Sequence, residues 1–430
     1  MAEIQNPVVV IPGITATSLN DEYPFASREL WSMVFRKEYG RLSLHPDDLR
    51  YETIEPADVR VGRLFSIYDD FIGALRYELS PKADHPTPVF AFPYDWRRDL
   101  RETAAELGDF IEEVIARTRL LRHYAGYESN EQVDLVGHSM GGLLICEYLS
   151  QFGNRKRVGK IATLGTPFLG SIEAVVKLTT GMGNLSGDKP TERERETARS
   201  IPAIYQLLPT FHGGVVDPNG DDVDMLSPEN WQPSIAASLA EYVRLYSVKD
   251  SKPVKRQKER AAEILESLLD LARKHRRTVG ALNPSSAGVA QDRWLAVVGI
   301  GYKTRIQLTV SGLPKSPWFE ISDDQYIDEW NDDKSSRRTG DATVPLLGAL
   351  PPFLPEEQLV CVSPDDFSWV EVGDRTLMAA AGLHAALPTM NLVQRLVVKH
   401  YRPAFRGKVW GRRVPGATSW TPPIPKLDEV

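Results

Sequence analysis

The sequence lacks the features that mark disulfide-rich, secreted or membrane-spanning proteins. Only two cysteines, Cys146 and Cys361, occur among the 430 residues, and each sits in an apolar run where a buried, reduced thiol is expected. No apolar stretch is long enough to cross a bilayer. The N-terminus has no basic segment before its short apolar run, so no signal peptide is predicted. These absences favour a cytoplasmic protein.

The sequence also has no excess of positive charge and no metal-binding motif. The formal net charge is −7, whereas a nucleic-acid partner favours a basic surface. The chain contains no HExxH motif and no CxxC pair, and its histidines are scattered. We therefore predict no metal, no cofactor and no nucleic-acid partner, and the oligomeric state is left open. A charged fraction of 25% is typical of a soluble globular protein.

Short apolar runs indicate a sheet whose strands are buried on both faces, which is typical of parallel sheets. These runs are Pro7 to Ile11, Pro88 to Phe92, Gln132 to Val136, Val158 to Leu164 and Trp294 to Gly299. Helical spacing occurs over Arg101 to Leu121, Ser139 to Phe152 and Asn391 to His400. The alternation of strand and helix predicts a doubly wound α/β core.

Two long stretches interrupt this alternation, and we interpret them as insertions that cover one end of the sheet. Residues 20–84 mix aromatics with charges and show no clear sheet period, whereas residues 171–291 are mainly helical in pattern. The tail is rich in proline, glycine and basic residues and is predicted to be a loosely packed arm. The predicted divisions are 1–19 (start of the core), 20–84 (interfacial, lid-like insertion), 85–170 (core with the nucleophile), 171–291 (helical cap), 292–404 (core with acid and histidine) and 405–430 (C-terminal arm).

The segment VDLVGHSMGGLLICEYL predicts a nucleophile elbow, with Ser139 as the nucleophile. An apolar strand runs into the G-x-S-x-G pattern, and an apolar helix follows it. Such a turn strains the serine backbone, and side chains two positions on either side would collide, so Gly137 and Gly141 are needed. The alternative is an ordinary glycine-rich turn with an unreactive serine. His138 is a poor base, because the turn points neighbouring side chains apart.

The acid and the base are expected downstream of the serine, in that order. Asp341 lies in GDATVP, and His384 lies in AAAGLHAALPTM, before a helix. His400 falls within the predicted C-terminal helix and is better explained by packing. If Asp341 lay on the wrong edge of the sheet, Asp365 or Asp366 would replace it as the acid.

A tetrahedral intermediate also needs two backbone N–H donors. Met140, directly after the nucleophile, is the first candidate. Ile14 is the second, because the Pro12-Gly13 turn ends the first strand and would leave the Ile14 N–H unpaired. The IPG segment is also explained as an ordinary turn at the end of a strand.

With these residues assembled, the chain resembles the lecithin:cholesterol acyltransferase family, which includes lysosomal phospholipase A2 and the phospholipid:diacylglycerol acyltransferases. The resemblance runs, in order, through VVVIPGITATSL, FPYDWR, VGHSMGG, LGTPFLGS, SIPAIYQLLP, VVGIGYKT and GDATVP. It implies an α/β-hydrolase fold with an interfacial subdomain and a helical cap. It also implies a triad of Ser139, Asp341 and His384, with oxyanion donors at Ile14 and Met140. The chain departs from the family in lacking a lid disulfide and in an extra insertion predicted at Gln358 to Thr376.

We therefore predict a serine hydrolase that cleaves lipid acyl esters, as a lipase or phospholipase does. An acyltransferase that passes the acyl group to an alcohol is the close alternative. A non-catalytic binding protein on a hydrolase fold is the alternative from another class. The substrate head group and acyl-chain length are not predicted.

Three aromatic residues are candidates for contact with substrate or a membrane surface. Trp31 and Phe35 belong to an insertion rich in large apolar residues, so they are predicted to stay exposed and to dip into a bilayer. The alternative is that they pack in the core. Trp96, in YDWR, is predicted to be structural rather than a substrate contact, with Asp95 and Arg97 pairing beside it.

Overall fold

A computed structural model describes residues 4–23, 27–32, 38–53, 57–181, 192–321, 325–327, 329–367 and 382–430. Its central sheet has six parallel strands in the order β14-β11-β9-β8-β1-β7. These strands are β1 (Val8–Ile11), β7 (Val89–Ala91), β8 (Val133–His138), β9 (Val158–Leu164), β11 (Trp294–Gly299) and β14 (Val360–Val362). Together with its flanking helices, this sheet is the α/β-hydrolase fold, as the sequence predicted.

The strands form because their side chains alternate between two buried layers. On β1, Val9 and Ile11 pack into one hydrophobic cluster, and Val8 and Val10 pack into the other. Helices α3 (Leu100–Arg119) and α4 (Met140–Phe152) cover the first layer, and α2 (Asp69–Leu79) and α12 (Asn391–Tyr401) cover the second. Both faces of the sheet are therefore shielded from solvent. A functional site is expected at the carboxyl ends of the strands.

The second insertion is a mainly helical cap. It contains α5 (Ile172–Thr180), α6 (Glu192–Ala198), α7 (Pro202–Tyr205), α8 (Pro233–Tyr246), α9 (Val254–Ala281) and a short strand β10 (Val215–Val216). Helix α9 packs directly on α4, where buried His275 contacts the Glu147 carboxylate at 2.7 Å. The cap is thus joined to the helix that follows Ser139. None of the helices in the described ranges is long and apolar enough to cross a membrane.

The first insertion contains more β-structure than its sequence predicted. Strands β2 (Thr17–Asp21), β3 (Arg28–Trp31) and β6 (Val59–Leu64) form an antiparallel sheet, and β4 (Leu44–His45) pairs with β5 (Asp48–Glu52) after the short helix α1 (Tyr39–Leu42). Register shifts interrupt the pairing of β2 with both neighbours. Irregular pairing removes the strict alternation that reveals a strand in a sequence.

Two predictions about the C-terminal half were wrong, the first of them over residues 358–367. The extra insertion predicted at Gln358 to Thr376 includes β14, an edge strand of the central sheet, while residues 368–381 lie outside the described ranges. The tail is not a loosely packed arm: β15 (Trp410–Gly411) pairs with β16 (Asp428–Glu429), and Val414 and Ile424 are buried. The Arg412 backbone pairs with Cys361 in β14. The proline and glycine content obscured these short pairings.

Four further elements lie between β11 and β14, before and after the turn that contains Asp341. They are β12 (Leu308–Ser311), β13 (Trp318–Glu320), α10 (Asp333–Ser336) and α11 (Leu346–Ala349). Strand β12 pairs with both β10 and β13, so the cap and the segment after β11 share one small sheet.

Candidate active site

Ser139 lies at the carboxyl end of β8, on the sharp turn that leads into α4. Its backbone has φ 54° and ψ −126°, a strained conformation for a residue with a Cβ. A Cβ on Gly137 would lie 2.6 Å from the Gly142 nitrogen, and one on Gly141 would lie 2.3 Å from the Ile11 oxygen. Both glycines are therefore required by close backbone packing, as the sequence argument held.

The three residues expected to form a triad lie together at this edge. The Ser139 hydroxyl lies 2.8 Å from His384 Nε2, and His384 Nδ1 lies 2.7 Å from Asp341 Oδ2. In the tautomer that fits both contacts, Ser139 O–H donates to Nε2 and Nδ1–H donates to the carboxylate. All three side chains are buried. The path can take a proton from the serine and stabilise the resulting imidazolium.

The Asp341 carboxylate is held by the turn in which it lies. Its Oδ1 accepts backbone N–H bonds from Thr343 (3.1 Å) and Val344 (2.7 Å), which leaves Oδ2 for His384. The Asp341 carbonyl also accepts the His384 backbone N–H at 2.7 Å. Acid and base are therefore joined by side chain and by backbone. Asp366 is engaged elsewhere, with Arg412 and Trp410.

The two predicted oxyanion donors flank Ser139. Met140 is the first residue of α4, where a backbone N–H has no partner within the helix. Ile14 lies in the turn after β1, and a Cβ on the preceding Gly13 would lie only 2.9 Å from the Ser139 Cβ. Within the described residues, neither N–H donates to a protein acceptor. Both are available to a negatively charged oxygen at the serine.

Of the aromatic candidates, Trp31 and Trp96 are buried, so the prediction that Trp31 is exposed was wrong. Trp31 is 4% exposed, its ring centroid lies 5.0 Å from that of Trp96, and its Nε1–H donates to the Thr15 carbonyl at 2.8 Å. This indole packs inward because the antiparallel sheet turns the end of β3 toward the core. Phe35 lies outside the described residues.

Asp95 and Arg97 of the YDWR segment pair with each other, as predicted. The buried Arg97 guanidinium forms two hydrogen bonds to the Asp95 carboxylate, at 2.9 and 2.7 Å, and a third to Glu52 at 2.7 Å. The positive charge of Arg97 holds the pKa of Asp95 below its usual value despite burial. This cluster anchors the loop that carries Trp96.

An apolar cavity of about 30 Å³ lies beside residues 12–15, the turn after β1 that carries the donor predicted at Ile14 and that we call the oxyanion loop. Its lining includes Ile14, Trp31, Trp96, Ile201 and Ile204. The Lys177–Glu194 ion pair, which also lines it, is buried between α5 and α6. The cavity therefore joins the first insertion, the cap and the oxyanion loop. Among the described residues, no group of three or more histidine, cysteine, aspartate or glutamate side chains is arranged to hold a metal ion.

The model of the lecithin:cholesterol acyltransferase family matches residues 83–248, which include the strand, elbow and first part of the cap. The resemblance to this family is confirmed. The lecithin:cholesterol acyltransferase match supports the broad class of acyl-ester hydrolases and acyltransferases. No curated protein in the comparison matches the chain.

Solved structures show a similarity of fold. One chain of the Tle4–Tli4 complex is 17% identical, with a TM-score of 0.53, over 81% of this chain and 89% of that chain. The Bacillus licheniformis lipase BlEst2 in mature form is 17% identical, with a TM-score of 0.26, over 47% of this chain and 54% of its own. The lin2722 product of Listeria innocua is 12% identical, with a TM-score of 0.33, over 94% of this chain and 97% of its own. The last two scores are too low to support an argument.

Sequence reasoning missed two groups that support the site. Tyr68 contacts His138 behind the serine, although 70 residues separate them. Gly165, at the end of β9, lies beneath Asp341 and His384. The LGTP motif was a signal for Gly165, but nothing local in the sequence connects Tyr68 with the elbow.

Proposed function

We propose that this protein is a serine hydrolase that cleaves acyl esters of lipids through an acyl-enzyme on Ser139. The observation that carries the proposal is the hydrogen-bonded path from Ser139 Oγ to His384 (2.8 Å) and on to Asp341 (2.7 Å). The strained turn at Ser139 and the two N–H groups beside it support the same chemistry.

In the first half of the reaction, His384 Nε2 takes the Ser139 proton while Oγ attacks the ester carbonyl carbon. The carbonyl oxygen becomes an oxyanion, which the N–H groups of Ile14 and Met140 stabilise. The Asp341 carboxylate stabilises the imidazolium and keeps the ring in the required tautomer. As the tetrahedral intermediate collapses, the C–O bond to the alcohol breaks, and His384 gives the alcohol its proton.

In the second half, water replaces the alcohol. His384 takes a proton from water, and the hydroxide oxygen attacks the acyl carbon through a second oxyanion. The bond to Ser139 Oγ then breaks, the fatty acid leaves, and the proton returns to the serine. Every proton moves through one histidine, so loss of His384 stops both halves.

The apolar surface of the cavity beside Ile14 supports a lipid acyl group as the substrate. Its lining of Ile14, Trp31, Trp96, Ile201 and Ile204 offers apolar surface beside an oxyanion donor. The cavity measures only about 30 Å³, so an acyl chain would enter it only if the lining side chains moved apart. The match to the lecithin:cholesterol acyltransferase family supports the same substrate class.

Transfer of the acyl group to an alcohol is a second candidate, because the matching family is named for that reaction. Hydrolysis and transfer share the acyl-enzyme and differ only in the nucleophile that resolves it. A radiolabelled phospholipid offered with a long-chain alcohol separates them: hydrolysis gives free fatty acid, whereas transfer gives a new ester.

The proposal is tested by steady-state kinetics on phospholipids, acylglycerols and soluble p-nitrophenyl esters. We expect Ser139→Ala to lower kcat by about a thousandfold or more, and Asp341→Asn to lower it somewhat less. Ser247→Ala is the matched control, because this buried serine donates to the Asp47 carboxylate at 2.8 Å and contacts no triad residue, so kcat should not change. If the wild-type protein turns over none of these esters, a non-catalytic binding protein is favoured instead.

A further inference from the structure

A buried tyrosine–histidine pair lies behind the nucleophile. The Tyr68 hydroxyl lies 2.7 Å from His138 Nδ1, and His138 Nε2 lies 2.9 Å from the His384 carbonyl oxygen. The Gly13 N–H lies 3.1 Å from the same Tyr68 oxygen. These contacts form one continuous chain from the turn after β1 to the backbone of the base.

The chemistry of the groups fixes the direction of each hydrogen bond in this chain. Burial lowers the pKa of His138 to about 3, so its ring is neutral at physiological pH and carries a single N–H. The His384 carbonyl can only accept, so that N–H is on Nε2, and Nδ1 is an acceptor. Tyr68 therefore donates its O–H to Nδ1, and its oxygen accepts the Gly13 N–H. Every hydrogen bond in this series therefore has a single possible direction.

This series of hydrogen bonds ends on the turn after β1 and on the loop that carries His384. The positions of these two loops decide whether Ser139 can react. At one end, Gly13 precedes Ile14, the proposed oxyanion donor, and the Tyr94 hydroxyl holds the neighbouring Pro12 carbonyl at 2.9 Å. At the other end, the His384 carbonyl belongs to the residue that deprotonates the serine. Both ring nitrogens of His138 are engaged, so His138 is not itself a base for Ser139.

We propose that Tyr68 and His138 are positioning residues that couple the oxyanion loop to the loop of the catalytic base. Their hydrogen bonds hold the Gly13–Ile14 peptide and the His384 backbone in one fixed relation. The inference rests on the proposed function, because it concerns the reaction at Ser139. It gives the histidine of the GHSMGG motif a purpose other than proton transfer.

Replacing Tyr68 by phenylalanine tests the coupling with a minimal change in shape. Tyr68→Phe leaves the Gly13 N–H and His138 Nδ1 without their partner, so the oxyanion loop loses its anchor. We expect kcat for a soluble p-nitrophenyl ester to fall about tenfold or more, with KM within about twofold. The loss falls on kcat because the oxyanion exists only beyond the ground state.

Tyr401→Phe is the matched control. Tyr401 is also buried, and its hydroxyl donates to the Leu135 carbonyl in β8 at 2.6 Å, but it does not contact the triad. We expect this control to lower the melting temperature about as much as Tyr68→Phe does, with kcat unchanged. The coupling is disproved if kcat for Tyr68→Phe stays within about twofold of wild type, or if Tyr401→Phe lowers kcat equally.

Two substitutions of His138 provide a second measurement should Tyr68→Phe not fold. In His138→Gln the amide can still donate to the His384 carbonyl and accept from Tyr68, whereas His138→Leu can do neither. We expect the glutamine protein to keep at least about fivefold more kcat than the leucine protein. Equal kcat values would overturn the inference.

Ser139→Ala, measured with the same ester, separates failure of the inference from failure of the proposed function. If Ser139→Ala remains as active as wild type, the proposed function is wrong. If Ser139→Ala is inactive while Tyr68→Phe and His138→Leu are normal, only the coupling is wrong.

Discussion

Gly165 shows how a residue without a side chain determines the geometry of the acid and base. It has φ +56°, and a Cβ there would lie 2.7 Å from Leu387 Cδ1, 2.9 Å from Asp341 Oδ2 and 3.2 Å from His384 Nδ1. A larger residue there must displace Leu387 or one of the two groups whose contact is proposed to activate the serine. The position therefore limits activity as well as stability.

We predict that Gly165→Ala lowers kcat by about tenfold or more, because displacement of Asp341 or His384 weakens proton transfer from Ser139. It should also cost about 1–2 kcal/mol of stability from the left-handed backbone conformation. Gly213→Ala is the control, since Gly213 has φ +75° with no atom within 4 Å of an added Cβ. Kinetics and urea unfolding measure both effects; equal kcat values for the two variants would contradict the prediction.

At the scale of elements, the antiparallel sheet of the first insertion buries Trp31, which the sequence predicted to be exposed. The Trp31 ring lies at the end of β3, between Tyr39 at 6.1 Å and Trp96 at 5.0 Å, measured between ring centroids. Its position follows from pairing between β2 and β3, which no local pattern in the sequence reveals.

We predict that Trp31→Ala destabilises the fold by about 3–5 kcal/mol, the usual cost of removing a buried aromatic side chain. Activity on vesicles and on a short soluble ester should fall together as the protein unfolds. Trp318→Ala is the control, because Trp318 is 53% exposed, and its melting temperature should change little. Loss of vesicle activity alone, with an unchanged melting temperature, would restore the membrane role for Trp31.

How far the sequence predicts each element depends on whether its contacts are local. The elbow from Val133 to Phe152 is contiguous, so its pattern predicted strand, turn and helix within one or two residues. Asp341 could be selected from the GDATVP motif, and His384 because only two histidines follow Asp341 in the sequence. The packing of Tyr68 and of the tail around Val414 could not be predicted. Their partners are distant in sequence, and their own segments show no hydrophobic periodicity.

At the scale of the whole molecule, buried histidines make stability depend on pH. Burial, followed by the nearby Lys160 charge, lowers the pKa of His400 to about 4, compared with an ordinary value of 6.5. Between these values the unfolded chain binds a proton and the folded protein does not, so the folded state loses stability as pH falls. Burial raises the pKa of Asp134 to about 6, which acts in the opposite direction.

We predict that His400→Gln reduces this acid sensitivity. Between pH 7.5 and 5, His400 alone should remove about 2 kcal/mol from the free energy of unfolding of the wild-type protein. The variant lacks that loss, whereas Asp134 contributes equally to both proteins. Urea unfolding at the two pH values measures the difference. A stability difference between variant and wild type that does not change with pH would show that His400 is not the group responsible.

The central claim is that His384 and Asp341 activate Ser139 as a nucleophile, and labelling with a fluorophosphonate tests it most directly. The reagent phosphonylates an activated serine, and peptide mass spectrometry identifies the modified residue. We predict rapid, stoichiometric modification of Ser139 in the wild-type protein, no modification of Ser139→Ala at that rate, and labelling of His384→Ala slowed by about a thousandfold. Full-rate labelling of His384→Ala, or modification of a serine other than Ser139, would contradict the account.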